Sequence, residues 1–528
     1  MDASLSQKHP FAVFYLQPAM EVILFLLAFL LFYFMVAKIL KSPSRNKSRL
    51  RLPPGPNPLP IIGNMHQLFG SPFHHLLRDL AKKYGPLMHL KLGETPTIIV
   101  TSPEMAKEIY RTNDVIFASR PSHHVTFKIF SYNHNDIIFS PYGSYWRQLR
   151  RICTMEVLSP KRVQTFKAIR EDEVFDLIKS ISLQKGSSIN LSRRIFSLSY
   201  SITSLAAFGK RSKDTERFLK FVDEINGLAS EFCFADMYPS AKFLQAMSLI
   251  RLRYKKVHNQ IDEILADILN EHRGKIQESK QEGEQGGKED IVDVLLNIQK
   301  RGDFEPQLTD TNIKAVILDV FSAGSETSST AIEWAISEMI RNPETMKRAQ
   351  YEVRNFYNDR GNVDESRLHE LKYLHAIIKE ALRLHPSAPL LLPRECDQEC
   401  KINGYDIPAK AQIIVNAWAI SRDPLYWSEA EKFNPSRFLD SEIDYKGNNF
   451  EYIPFGAGRR ICPGISYSQA VVQLVLAQLL FHFDWKLPGD LKPEELDMAD
   501  KLGVTIRRKN DLHLIPIPYP GSCLIKDN

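Results

Sequence analysis

Cysteine is scarce: the chain of 528 residues holds six, at positions 153, 233, 396, 400, 462 and 523. No paired C-x-x-C pattern occurs among them, which excludes a disulfide framework and a closed zinc site and places the body in a reducing compartment. Cys396 and Cys400 stand close together but have no matching Cys or His pair nearby. Internal repeats are absent, and so is any glycine loop of the dinucleotide-binding type. Charge of one sign is lacking too. Lys and Arg number 68 against 62 Asp and Glu, a balance of +6, and the stretch through Arg51 carries most of it. A near-neutral remainder argues against a nucleic-acid-binding face. Hydrophobic residues make up 44% and charged residues 25%, enough to bury a large core.

From Val22 to Ala37 the sequence is VILFLLAFLLFYFMVA, without charge. With Met20, Ile39 and Leu40 it approaches the roughly 20 residues that cross a bilayer as a helix. The run is longer than the usual core of a cleaved signal peptide, and no small-residue cleavage site follows it. Lys38, Lys41, Arg45, Lys47, Arg49 and Arg51 follow it, whereas only Lys8 precedes it, so the large body is expected on the cytosolic side. Pro53, Pro54, Pro56, Pro58 and Pro60 then predict a stiff spacer. The expected organisation is a lumenal segment at 1–19, a transmembrane anchor at 20–40, a basic and proline-rich hinge at 41–60 and a folded body at 61–528.

Within the body, Met88 to Leu92 and Thr97 to Thr101 read as strands. Helical apolar periods run through Arg162 to Ile181, Val257 to Leu269, Asn312 to Ile340 and Leu371 to Leu384. Lys401 to Ile414 is strand-rich, and a last extended pair is expected within Val504 to Ile517. The polar stretch Ile276 to Asp290 predicts a surface loop. The expected fold class is mainly α with small β-sheets.

Three stretches carry chemistry. Phe455 to Gly464 (FGAGRRICPG) offers glycines for tight turns and sets Cys462 ahead of a long apolar helical pattern. Near a helix start, peptide dipoles favour the thiolate that binds a metal; the bland alternative is a buried cysteine in a glycine-rich turn. Glu380 and Arg383 share one helical face, as many solvated pairs do. Asp310 to Ile340 is a helical pattern spanning about 46 Å at 1.5 Å per residue. Its middle, Ala323 to Ser328 (AGSETS), is polar where a core helix is apolar, which reads either as a kink or as a functional cluster.

The spacing F-x-x-G-x-R-x-C-x-G resembles the haem-binding loop of the cytochrome P-450 family, and the other motifs follow in that family's order. The Pro-Pro-Gly-Pro spacer, FGAGRR and Arg507-Arg508-Lys509 are most similar to the plant microsomal A-type branch. The resemblance implies the P-450 fold behind one transmembrane helix. It implies haem b (iron protoporphyrin IX) on Cys462 within the loop begun by Phe455, and contacts to the haem carboxylates from Arg460, Trp146, Arg150 and Arg394. Glu380 and Arg383 would form a fold lock with Arg437, with Ser436 where the family often has an acid. Ala323 to Ser328 would be the oxygen-activation motif, Glu326 its acid and Thr327 its alcohol, with the helix opened at Gly324. Substrate contacts would come from Phe127, Phe130, Phe321, Ala323, Ala388, Leu390, Leu391 and Val504.

The activity so implied is insertion of one atom of dioxygen into a small lipophilic substrate, usually as hydroxylation, with a terpenoid as the first expectation and an alkaloid, phenolic or fatty acid as alternatives. Electrons would come from NADPH through cytochrome P-450 reductase, which Arg147, Arg151, Lys161, Arg162 and Arg459 would meet. The expected place is the endoplasmic reticulum membrane, single-pass, with the catalytic domain in the cytosol. A haem-thiolate isomerase or dehydratase needing no reductant is a second reading, against which Glu326 and Thr327 stand. A membrane-anchored ligand-binding protein is a third, and the same polar cluster opposes it.

Overall fold

A computed structural model describes residues 50–521 and Leu30, apart from 211–216, 219, 222, 226, 228–233, 243–248, 283–288, 303–304, 306, 359–360 and 502. The chain divides into a unit ending at Arg51 and a unit beginning at Leu52. The expected lumenal segment, all of the anchor except Leu30, and the hinge up to residue 49 lie outside the described residues.

The described part of the hinge is not a free spacer. Pro53 and Pro56 are buried, and the Pro54 carbonyl accepts from the His89 amide at 2.8 Å. A Cβ at Gly55 would fall 1.9 Å from the His89 carbonyl oxygen, so only glycine allows this approach. The strand it packs on is β1 (Leu87–Leu92), which forms an antiparallel hairpin with β2 (Thr95–Val100).

Helices form the bulk of the body: α1 (Ser144–Ile152), α2 (Lys167–Ser182), α3 (Leu191–Phe208), α4 (Leu249–Glu282), α5 (Asp310–Arg341), α6 (Lys372–Leu384) and α7 (Ile465–His482) are the ones that matter for the site. The expected helix at 162–181 is interrupted at Phe166, where α2 starts after a shorter helix, Pro160–Thr165. Instead of a loop from Ile276, α4 continues to Glu282. Gln, Glu and Lys favour helix without needing an apolar face, which is why the polar stretch misled the periodicity argument.

Among the described residues three sheets complete the body. β3 (Ile189–Asn190), β9 (His513–Pro518) and β8 (Phe483–Lys486) form one, and β5 (Cys400–Ile402) with β6 (Tyr405–Ile407) forms a hairpin. The largest has the order β1-β2-β7-β4, with β7 (Gln412–Val415) parallel to β2 and antiparallel to β4 (Arg394–Glu395). This pairing sets Arg394 opposite Ile413 on the last strand. In the expected terminal extended pair, residues 513–517 are strand and 504–505 are not.

α5 packs against α3, α6 and α7. Its start is fixed by a capping box in which Thr309 and Asn312 bond reciprocally. The helix is continuous through Gly324, contrary to the expected opening there. Its hydroxyls bond back along the helix: Ser329 to Ser325 O, Thr330 to Glu326 O and Ser337 to Glu333 O, at 2.7–3.1 Å. Such bonds let a hydroxyl-rich segment remain helical and buried. α7 is apolar and long enough to span a bilayer, but most of it is buried inside the body as a core helix.

Glu380 and Arg383 on α6 are fully buried and bonded twice, at 2.7 and 2.9 Å. Glu380 Oε1 also accepts from Arg437 Nε at 2.9 Å and from the Asn434 amide at 2.8 Å. Arg383 spends its other donors on the carbonyls of Ser421, Ala430 and Lys432, pinning the segment between 421 and 437 to α6. Ser436 takes a bond from Arg348 instead of joining the triad. Arg383→Ala strands a buried carboxylate, so a loss of about 3–5 kcal/mol is expected in denaturant unfolding of the holoprotein.

Candidate active site

The loop from Phe455 to Gly464 is closed by the Cys462 amide donating to the Phe455 carbonyl at 3.0 Å. Gly458 lies at φ +67°, and a Cβ there would sit 2.3 Å from the Tyr110 carbonyl oxygen, so the loop is seated by a glycine no other residue can replace. Cys462 Sγ accepts from the Gly464 amide at 3.4 Å, and α7 starts at Ile465. Burial pushes the Cys462 thiol up from its ordinary value, against the downward pull of the Gly464 amide and Arg150. The helix start alone therefore does not offset burial of the thiol; a cation on the sulfur would favour the thiolate.

One cavity is bounded by this loop (Phe455, Arg460, Cys462) and by Ala323, Gly324 and Thr327 of α5. Thr327 donates its hydroxyl to the Ala323 carbonyl at 2.7 Å. Four guanidiniums line the same cavity. Arg460 bonds the carbonyls of Ala118 and Ser140, at 2.8 and 2.5 Å, and Arg150 from α1 bonds that of Ile461 at 2.5 Å. Arg394 from β4 donates to Phe117 O and Ala457 O. Arg120, which sequence reasoning missed, donates to Leu392 O and Pro393 O at 2.7 Å.

Burial and mutual repulsion depress all of these cations. Arg460 falls to about 7, through desolvation and then Arg120 and Arg394; Arg120 falls to about 9, through desolvation and Arg394. Desolvation likewise lowers Arg150 and Arg394. Carbonyl oxygens satisfy their N–H groups without supplying a counter-charge. Among the described residues the carboxylate paired with this set is Asp114, 4.0 Å from Arg394, and Asp136 acts on Arg460 from farther off. Such a set fits a ligand carrying carboxylates.

A second cavity adjoins the first, and the two share Ile138, Asp319, Ala323, Thr327, Ala388 and Leu392 as walls. Phe127, Phe130 and Val504 line the second, and Leu391 lines the first. Glu326 also lines the second cavity, not the first, and its Oε1 accepts from Arg507 Nε and Nη2 at 2.8 and 2.7 Å.

Three expected site residues lie elsewhere. Trp146 donates its indole N–H to Ile137 O at 2.9 Å, and its ring lies 4.1 Å from the Arg460 guanidinium, so it supports Arg460 from behind. Phe321 is fully buried among Tyr200, Phe208 and Phe218, on the core side of α5. Leu390 packs into the cluster around Met65, Leu77 and Met88. Neither cavity includes them. Sequence reasoning also missed Asp136 and Asp319; an acid within the apolar run AVILDVF was the available signal for the latter.

The cytochrome P-450 family model matches residues 53–514. The chain belongs to this family. It is 58% identical over 508 residues to tabersonine 6,7-epoxidase isoform 1 of Catharanthus roseus, covering 96% of this chain and 99% of that one. Tabersonine 16-hydroxylase 2 of the same plant is 56% identical over 501 residues, 94% and 98% of the two chains, and premnaspirodiene oxygenase of Hyoscyamus muticus is 49% identical over 494, 94% and 97%. Among solved structures, a zebra fish cytochrome P-450 with abiraterone superposes at a TM-score of 0.72 with 24% identity, covering 85% of this chain and all of that one; this shows the fold. As a cytochrome P-450 the protein is a haem b monooxygenase that uses dioxygen and receives electrons from NADPH through a reductase.

For this P-450 loop, Gly458→Ala is expected to keep most of the polypeptide soluble while reducing haem content several-fold. The absorbance of haem relative to protein in purified material is the measurement; strain of at least about 1–2 kcal/mol from the positive φ sets the direction.

Proposed function

We propose that Cys462 holds the haem iron, that Arg460, Arg150, Arg394 and Arg120 meet its carboxylates, and that the second cavity holds a small polycyclic lipophile presented for hydroxylation or epoxidation. The observation that carries the reading is the convergence of one thiol, three buried guanidiniums, the half-buried one of Arg150 and the Thr327 hydroxyl on one cavity. Bound there, haem supplies the reductive activation of dioxygen and the transfer of one oxygen atom to a C–H or C=C bond. The chain's own residues do the rest. Thr327 Oγ1, leaving the Ala323 carbonyl, moves a proton into the first cavity. Phe127, Phe130, Ala388 and Leu391 exclude water and orient the substrate. Trp146 keeps Arg460 in place, and the Glu380, Arg383 and Arg437 triad braces the segment leading to the Cys462 loop.

The relatives favour an alkaloid over the terpenoid first expected: tabersonine, an alkaloid, is named in the substrate of the more similar enzymes, and a terpene is named in the less similar one. The terpenoid remains the second reading on the strength of that oxygenase. Exposed Arg147, Arg151 and Lys161 suit docking of NADPH-cytochrome P-450 reductase. The uncharged run at 22–37 with its basic flank supports a single-pass anchor in the endoplasmic reticulum with the body cytosolic.

Two measurements test the reading. Purified wild type, reduced under carbon monoxide, is expected to give the thiolate-ligated spectrum, and Cys462→His to lose it. With reductase, NADPH and tabersonine, Thr327→Ala is expected to keep consuming NADPH while product per NADPH falls about 10-fold or more, the lower end of a general acid's usual contribution. Unchanged coupling would remove Thr327 from the proton path.

A further inference from the structure

The walls common to both cavities are apolar except at two places, the Thr327 hydroxyl and the Asp319 carboxylate. Asp319 stands on α5, one helical turn before Ala323. Its Oδ2 accepts from the amides of Ile137 and Ile138, at 2.9 and 3.3 Å, while Oδ1 bonds nothing and is not occluded. Asp136 is the residue just before those amides and lines the second cavity. Its Oδ1 accepts from the amides of Phe139 and Ser140, both at 2.9 Å, while Oδ2 is fully buried and has no hydrogen-bond partner. Each carboxylate is therefore clamped through one oxygen and leaves the other unused. Among the described residues neither acid has a cation within 4.0 Å.

We propose that Asp136 and Asp319 form an anionic subsite that receives the protonated amine of a nitrogen-containing substrate and thereby orients it toward the haem cavity. The inference rests on the second cavity being the substrate cavity. A buried carboxylate without a cation is among the costliest groups a protein can hold, and an uncharged donor relieves that cost only in part. An ammonium supplies the missing positive charge: its N–H meets Asp319 Oδ1, the oxygen open to the cavity, while the occluded Asp136 carboxylate adds negative potential behind it. The cations on the same cavity are otherwise placed: Arg507 is held by Glu326 and lies 3.7 Å from Asp223, and Lys501 is exposed.

Burial lifts Asp136 to about 7, and burial together with the Asp136 charge lifts Asp319 well above the usual carboxylate range. Other groups acting on the pair are Arg460, which opposes the rise at Asp136, and Tyr145 and Cys153, both held neutral by burial. The empty pair thus keeps a proton near neutrality, and an arriving ammonium favours its release. Amine affinity is accordingly expected to rise as pH increases through about 7 and to fall once the amine itself loses its proton.

The test is equilibrium titration of the full-length holoenzyme, followed by the haem absorbance shift, with tabersonine as the tertiary amine and premnaspirodiene as the hydrocarbon. Asp319→Asn keeps an oxygen for the Ile137 and Ile138 amides and removes the charge. It is expected to raise the amine Kd about 10–100-fold and leave the hydrocarbon Kd within about 3-fold. Asp136→Asn is expected to move the pH at which amine affinity rises to a lower value, because Asp319 is then no longer repelled; this arm stands alone if the first variant does not fold. Equal loss for both probes, no loss for either, a pH-independent amine Kd or no amine binding by the wild type overturns the subsite. Failure of the monooxygenase reading is seen separately, as absence of NADPH-dependent product from either probe with reductase present.

Discussion

Positive charge withdrawn from water organises this protein. Arg120, Arg150, Arg394 and Arg460 come from a loop, from α1, from β4 and from the Cys462 loop, and all line one cavity. Backbone carbonyls can occupy every N–H of a guanidinium, yet they leave its unit charge uncompensated, and four such charges in a low-dielectric space repel one another. On the proposed reading, the haem carboxylates would supply the missing counter-charge and tie together the four pieces of chain from which these arginines come. The Glu380 triad next to it works by a different rule: its charges are balanced within the protein, and it needs nothing from outside.

Local chemistry made part of this legible in the sequence. The cysteine loop could be read because its glycines answer local demands, the positive φ of Gly458 being one, and such demands leave fixed spacings. The triad could be read because i, i+3 charges on a helix share a face. Arg120 and Asp136 were illegible for the opposite reason. Each acts through contacts with residues whose positions are set by tertiary packing, and nothing in the neighbouring sequence distinguishes them from surface charge. Trp146 was placed at the cavity because its spacing in α1 was right; the spacing could not show that its N–H would be taken by the Ile137 carbonyl. Phe321 failed by one helical step, since its neighbour Val320 faces the cavity and Phe321 the core.

That helical step explains how α5 serves two cavities. Asp319, Ala323 and Thr327 recur every four residues and form the stripe that both cavities share. Val320, Gly324, Ser328 and Ala331 widen it on the side of the first cavity, and Ser322 and Glu326 widen it on the side of the second. An opening of the helix at Gly324 is unnecessary for this division of labour. Of the hydroxyls that were expected to loosen the helix, that of Thr327 is bonded back to the Ala323 carbonyl and that of Ser328 bonds Ser468 on α7, so the polar stripe is compatible with an unbroken backbone.

Adjacent positions on a helix point about 100° apart, and this separates Glu326 from Thr327 despite their neighbouring numbers. The Glu326 carboxylate is held by two nitrogens of Arg507 at the second cavity, while the Thr327 hydroxyl lies in the wall common to both. For Glu326 Oε1 to hand a proton to Thr327 directly, it would have to give up two charge-assisted bonds from Arg507. Proton delivery is therefore better served by water reaching Thr327 than by rotation of Glu326. On the proposed reading Glu326 then acts by holding Arg507, which with Gly503, Val504 and Thr505 walls the second cavity.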